Sequence, residues 1–211
     1  TTAAGSTLSS FDALQGGENL TMSGSGTAAS ANVANGIAMA SNGNLALANG
    51  SGGTAGLASN YSLNSTVINI AKRVLNSSGS KTYDANTNAL AGAITLSNLV
   101  SGEALNHSGT ATISSANAGS YTISNLTGIN IADGSGGTAS NYTLTGGTHN
   151  FTVNQRPLNA TLARQYDGTT TAAGSTLSSF DALQGGETLT LSGSGTAAND
   201  NVANGISVSS L

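Results

Sequence analysis

The chain has 211 residues, only 7% of them charged, with five Lys and Arg against nine Asp and Glu, a net charge of −4 and no cysteine. Five cations cannot form a phosphate-tracking surface, which argues against nucleic acid as a partner. No run approaches the ~18 apolar residues of a spanning helix, so no membrane insertion is expected. With charge far below the usual ~25%, the surface has to be built from Ser, Thr, Asn and Gly, and stability has to come without disulfides.

Along the chain the apolar residues come in short runs of period two, the pattern of half-buried strands. The first runs are Leu20 and Met22, Ile37 and Met39, Leu45 and Leu47, and Tyr61 and Leu63. Next come Ile94 and Leu96, Ala111 and Ile113, Tyr121 and Ile123, Ile129 and Ile131, Tyr142 and Leu144, and Phe151 and Val153. Leu158, Ala160 and Leu162 follow. Asn-Gly, Gly-Gly and Ser-Gly pairs separate the runs and accept the positive φ of tight turns. No window carries a sustained helical stripe. A Ser/Gly/Asn-rich chain also suits disorder, but a disordered linker has no reason to keep apolar alternation at matched places.

Those matched places are repeats. Residues 1–42 recur at 170–211 with 34 identities at an offset of 169. A looser echo at about half that spacing matches Gly17-Glu18 with Gly102-Glu103 and Gly186-Glu187, Asn60-Tyr61 with Asn141-Tyr142, and Tyr83-Asp84 with Tyr166-Asp167. Self-similarity on this scale signals an array of modules. The boundaries fall at Arg73 and Arg156, beside Pro157, the only proline. They divide the chain into 1–71, a module lacking its first strand; 72–156, a complete module; and 157–211, a module truncated on its C-terminal side. The expected fold is all-β: small Ig-like β-sandwich modules in a linear, nearly linkerless array. The alternative is a parallel β-solenoid, whose coils repeat at roughly 20–30 residues; no such period occurs inside the module.

The segment Arg156-Pro157-Leu158 through Tyr166-Asp167-Gly168-Thr169-Thr170 carries a recognisable pattern, joined by Gly186-Glu187, residues 201–205 (Asn-Val-Ala-Asn-Gly) and residues 139–144 (Ala-Ser-Asn-Tyr-Thr-Leu). Together they resemble the YDG and MBG-type repeats of large bacterial surface adhesins, haemagglutinin-like and two-partner-secreted. The resemblance implies a surface stalk without catalytic residues. The middle module departs from it with Tyr83-Asp84-Ala85-Asn86. Either Ala85 takes the positive φ that Gly168 accepts freely, or the turn moves to Asn86.

The candidate site residues are those of the repeated motifs: Tyr83, Asp84, Tyr166, Asp167, Gly168, Asn60, Tyr61, Asn141 and Tyr142. At Tyr166-Asp167-Gly168 the tyrosine is expected to end a strand in the core and the aspartate to close an Asx-type turn. Tyr61 and Tyr142 read as core or edge aromatics, with a sugar-stacking platform as the alternative. His107 and His149 occupy non-equivalent places without ligand-spaced neighbours and read as exposed. Residues 133–137 (Asp-Gly-Ser-Gly-Gly) and 49–53 (Asn-Gly-Ser-Gly-Gly) read as flexible turns, since one carboxylate is far short of a calcium shell. No catalytic group, metal or cofactor is expected.

The function expected is mechanical: structural stalk or spacer repeats of an extracellular adhesin or of a biofilm matrix fibre at the bacterial surface. Alternatives are a filament subunit assembling by strand-edge complementation, and a glycan- or receptor-binding module. The partners are accordingly neighbouring modules, like chains in a fibre, or host or matrix glycans.

Overall fold

A computed structural model describes residues 2–4, 11–12 and 14–209; much of the start of the duplicated segment lies outside them. The first strands are β1 (Thr2–Ala4), β2 (Leu20–Ser23), β3 (Ser25–Ala28), β4 (Ala34–Ser41), β5 (Ala46–Asn49), β6 (Val67–Ile70) and β7 (Arg73–Val74). Then come β8 (Asn76–Thr82), β9 (Asn88–Leu90), β10 (Ile94–Ser97), β11 (Leu105–Ile113), β12 (Gly119–Asn125), β13 (Ile129–Asp133), β14 (Tyr142–Thr143) and β15 (His149–Asn154). The last are β16 (Ala160–Leu162), β17 (Thr171–Ala173), β18 (Leu177–Phe180), β19 (Ser194–Ala197) and β20 (Val208–Ser209). Short 3₁₀ turns at Ala58–Asn60, Ala91–Ala93, Ala139–Asn141 and Gly174–Thr176 complete the described secondary structure. The fold is all-β, with no α-helix among the described residues.

The chain forms two compact units. The first comprises Thr1–Asn76, Ser97–Asn106 and Ile131–Gly147. It holds the sheet β1-β3-β4-β6, the antiparallel pair β2–β5, and a parallel pair in which Tyr142 of β14 lies opposite Arg73 of β7. In β2 alternation does what the sequence predicts: Leu20 and Met22 turn inward and Thr21 and Ser23 outward. Leu75 and Tyr142 are buried in this unit as well.

The second unit comprises Ser77–Leu96, His107–Asn130 and Thr148–Leu211. Most of the seven-stranded sheet lies here, in the order β10-β8-β15-β12-β11-β13 with β9 on β11. Its buried apolar side chains include Ala89, Ile94, Ala111, Ile113, Ile123, Ile129, Phe151 and Val153, from alternate positions of successive strands. β8 is polar throughout, yet it sits between β10 and β15. Gly79 makes that possible: a Cβ there would lie 2.2 Å from Ala93 O and 2.7 Å from the Phe151 ring, so the ring occupies the space a side chain would need. The smaller sheets β16–β18 and β17-β19-β20 follow.

β8 and β15, near the two ends of the middle repeat, are paired in parallel over six residues, from His149 opposite Ser77 to Asn154 opposite Thr82. By contrast β12–β15, β11–β12, β2–β5, β3–β4 and β16–β18 are antiparallel. Among the described residues no stack of parallel coils is formed, as a solenoid would require.

Candidate functional site

The repeated motifs converge on one recurring arrangement, a tyrosine hydroxyl on a carboxylate. It begins with a turn. Glu18 N–H donates to Gln15 O at 2.9 Å, and Glu103 N–H to Val100 O at 3.0 Å. The residue before each glutamate takes a left-handed backbone, φ 74° at Gly17 and 83° at Gly102, which is why Gly-Glu recurs as a pair.

The tyrosine is delivered by a second device. Asn49 Oδ1 accepts the Ala58 N–H at 2.9 Å, and Asp133 Oδ1 accepts the Ala139 N–H at 2.7 Å. Each bond closes the loop onto the 3₁₀ turn that ends in Asn-Tyr. The Asn49 and Asp133 loops are therefore anchored turns, not the flexible ones expected, because their first side chain satisfies an otherwise orphan N–H.

Tyr61 then donates to Glu18 Oε2 and accepts from Gln15 N–H at 3.3 Å. Tyr142 donates to Glu103 Oε2 and accepts from Val100 N–H at 3.1 Å. Both phenols are held above the ordinary tyrosine pKa: Tyr61 chiefly by its bond to Glu18, Tyr142 chiefly by burial and then by its bond to Glu103. Tyr142 is 2% exposed and Tyr61 is half-buried. With its ring enclosed, Tyr142 has no face to offer a sugar. Asn60 is exposed; Asn141 accepts Val33 N–H at 2.8 Å and donates to Asn32 Oδ1 at 2.9 Å.

The third Gly-Glu turn has the same form, with Gly186 at φ 76° and Glu187 N–H on Gln184 O at 3.0 Å. Its carboxylate takes the hydroxyl of Tyr83, whose pKa that bond raises. Both residues line an open groove of ≈ 400 Å³ with Ala118, Arg156, Leu158 and Leu183. Arg156 Nη1 donates to Tyr83 O at 3.3 Å, while its Nε is buried without a partner.

The two Tyr-Asp motifs build clamped turns. Lys81 Nζ lies 2.7 Å from Asp84 Oδ1 and also donates to Asn86 O at 2.7 Å and Asn88 O at 2.8 Å. Arg164 likewise pairs with Asp167 and donates to Thr169 O, and Thr169 N–H returns to Asp167 Oδ1 at 3.0 Å. A cation three residues before the aspartate thus ties both ends of the turn. Bonds from Arg164, then from Thr169, hold Asp167 down to about 2. Desolvation pushes Asp84 up, but bonds from Lys81 and the Asn86 N–H outweigh it, leaving its pKa low. Ala85 adopts φ 59° where Gly168 has 72°, so the turn keeps its place and alanine bears the strain.

Two expectations need correction. Tyr166 does not end a strand in the core: it is 65% exposed, because β16 stops at Leu162, four residues short of it. Tyr83, by contrast, directly follows β8, and its N–H bonds to Asn154 O at 2.9 Å. Nor are the histidines exposed. His107 Nε2 contacts Ala91 O at 3.1 Å and Ile94 O at 2.9 Å, and His149 Nδ1 contacts Ser77 Oγ at 2.9 Å, all part-buried. Both histidines tie strands together, since a half-buried imidazole needs partners for its ring nitrogens. Among the described residues no three His, Cys, Asp or Glu come together as metal ligands would.

In the sequence the Gly-Glu pairs stand out as repeat markers but not as partners of the Asn-Tyr pairs. Their shared recurrence was the available signal. The cations Lys81 and Arg164, at one spacing from Asp84 and Asp167, are a second signal of the same kind.

A family model described as the YDG domain matches residues 71–149 and 152–211, together more than half of the chain. No curated protein and no solved structure matches the chain. The match corrects the resemblance drawn from the motifs. It is to the YDG domain alone and contains neither an MBG-type repeat nor an adhesin, so the assignment to haemagglutinin-like, two-partner-secreted surface proteins is withdrawn. By this match the chain belongs to the YDG domain family.

Proposed function

We propose that these repeats are a non-catalytic, load-bearing spacer in an extracellular stalk or fibre. One observation carries the reading. β8 is the first long strand of the middle repeat, after the two-residue β7, and β15 is its last; the two run side by side in parallel over six residues. Tension applied at the start of β8 and the end of β15 acts along the strands in opposite senses. It loads the ladder in shear, so its hydrogen bonds share the force instead of breaking one after another. Clamped turns support the same reading: Lys81, bonded to Asp84, Asn86 and Asn88, pins the segment leaving β8. A polar surface with few charges suits a passive spacer.

Single-molecule stretching of the chain between its ends tests this. The expected record contains a high-force event that releases residues 76–154 together, a contour gain on the order of 25 nm. Smooth extension at low force, or stepwise peeling of single strands, would refute the load-bearing role.

A further inference from the structure

The compact units do not follow the repeats. The first unit runs past the first repeat to Asn76 and takes in Ser97–Asn106 and Ile131–Gly147 of the middle one. Those segments are fastened to one another. Leu75 N–H donates to Thr143 O at 2.8 Å, Ala104 N–H to Ser135 O at 2.8 Å, and Asn98 Nδ2 to Val74 O at 2.7 Å. Arg73 Nη2 donates to Asn98 Oδ1 at 2.9 Å, and the Tyr142 hydroxyl closes onto Glu103. Leu75 is fully buried and Tyr142 nearly so.

Asn141 joins this body to the first repeat. A carboxamide offers an acceptor and a donor side by side. In Asn141 the oxygen takes the Val33 N–H at 2.8 Å and the nitrogen donates to Asn32 Oδ1 at 2.9 Å. Asn32 and Val33 lie in the loop between β3 and β4. That loop is shaped inside the first repeat, by Asn32 N–H on Ser30 Oγ at 3.0 Å and Ala29 N–H on Ala38 O at 2.9 Å. The turn that carries Asn141 is shaped separately, by Asp133 on the Ala139 N–H and by Tyr142 on Glu103. Both sides of the contact are held in shape by their own bonds, so joining them orders few additional groups.

We propose that the Gly-Glu and Asn-Tyr turns of the middle repeat open and close with the first repeat, and not with the β8–β15 ladder of their own. The loop at residues 30–33 is a docking surface, and its partner is the Asn-Tyr turn of the repeat that follows. In an array, stability is the sum of what each repeat holds and what neighbours share, and local opening runs in contiguous cooperative units. Here the cooperative unit is out of step with the sequence repeat. A lesion in the middle repeat's turns is therefore felt across the repeat boundary.

Amide hydrogen exchange of the whole chain tests this. It is read at Ala29 and Val33 in the first repeat and at Tyr83, whose N–H bonds to Asn154 O at 2.9 Å at the end of the ladder. Glu103→Gln keeps the side chain's shape and turns a charge-assisted bond into a neutral one. Exchange at Ala29 and Val33 is expected to rise about tenfold while Tyr83 keeps its rate. Asn141→Ala removes the two bonds to the loop and is expected to accelerate Ala29 as well as Val33, again with Tyr83 unmoved. In urea, Asn32→Ala combined with Asn141→Ala is expected to lower the first unit's midpoint no further than Asn141→Ala alone. Unchanged exchange at Ala29 and Val33, equal acceleration at all three amides, or additive losses for the pair would overturn the proposal. Either result leaves the load-bearing reading standing, since that rests on β8 and β15.

Discussion

Replacing Tyr142 with phenylalanine removes one oxygen and keeps the ring. That oxygen donates to Glu103 Oε2 and accepts from Val100 N–H at 3.1 Å, on a side chain that is 2% exposed. A hydrogen bond to a charged group contributes ~1.5–3 kcal/mol, and a buried group left unpaired costs a similar amount. Val100 is itself 45% exposed, so water can reach its freed N–H. The loss is therefore about 2 kcal/mol. In urea, with a slope near 2 kcal/mol/M, the midpoint for the segment holding Tyr142 falls by about 1 M. The equivalent Tyr61→Phe removes the same two bonds at a half-buried hydroxyl, where water substitutes, so its midpoint moves less. The alkaline limb supplies a second readout. A phenol whose folded pKa is raised contributes stability that is whole below about pH 10 and is lost as pH climbs through the folded value. Tyr142→Phe flattens that limb. Equal midpoints for wild type and Tyr142→Phe, or a larger drop for Tyr61→Phe, would refute the argument that burial sets the strength of the latch.

Gly79→Ala drives a Cβ to 2.2 Å from Ala93 O, a backbone atom that cannot turn away, and is expected to cost ~1–3 kcal/mol or more, read as a lowered denaturation midpoint. Ala85→Gly relieves a φ of 59° and is expected to stabilise by about 1 kcal/mol, measured the same way. Asp84, Asp167 and Asp181 all have folded pKa values below the ordinary one, about 2 for Asp167. Their contribution is present above about pH 4 and is lost as pH falls towards 2. Thermal melts across that window should show the decline, and Asp167→Asn should make it shallower.

The strands were legible wherever one face is apolar. Leu20 with Met22 and Phe151 with Val153 alternate because successive side chains point to opposite faces. β8 is a different case. Its residues, Asn-Ser-Ser-Gly-Ser-Lys-Thr, carry no apolar period, and Ser77 is 4% exposed all the same. Small size, not hydrophobicity, qualifies it for an inner place, and only comparison between repeats could position it. The Tyr–Glu latches were hidden for another reason: they join residues 43 apart in one repeat and 39 apart in the next. The loop before Tyr61 carries Ala55-Gly56-Leu57, which the loop before Tyr142 lacks, so a fixed spacing never appears. Tyr166 misled because its motif matches that of Tyr83 while its surroundings do not.

The unusual composition is itself part of how the chain is held together. A repeat of this size has a small core, and much of what holds it is asparagine bonded to backbone. Asn44 Oδ1 accepts Ser25 N–H at 2.7 Å, Asn69 Oδ1 accepts Gly36 N–H at 2.8 Å, and Asn98 Nδ2 donates to Val74 O at 2.7 Å. Asn19 Nδ2 donates to Ser51 O at 3.0 Å while its Oδ1 accepts Ser51 N–H at 2.8 Å. Such bonds are directional, where apolar burial is not. They tie loops and neighbouring strands together with little added core. The asparagines of so polar a chain are then not filler: their side chains fasten backbone that a small core leaves unsupported.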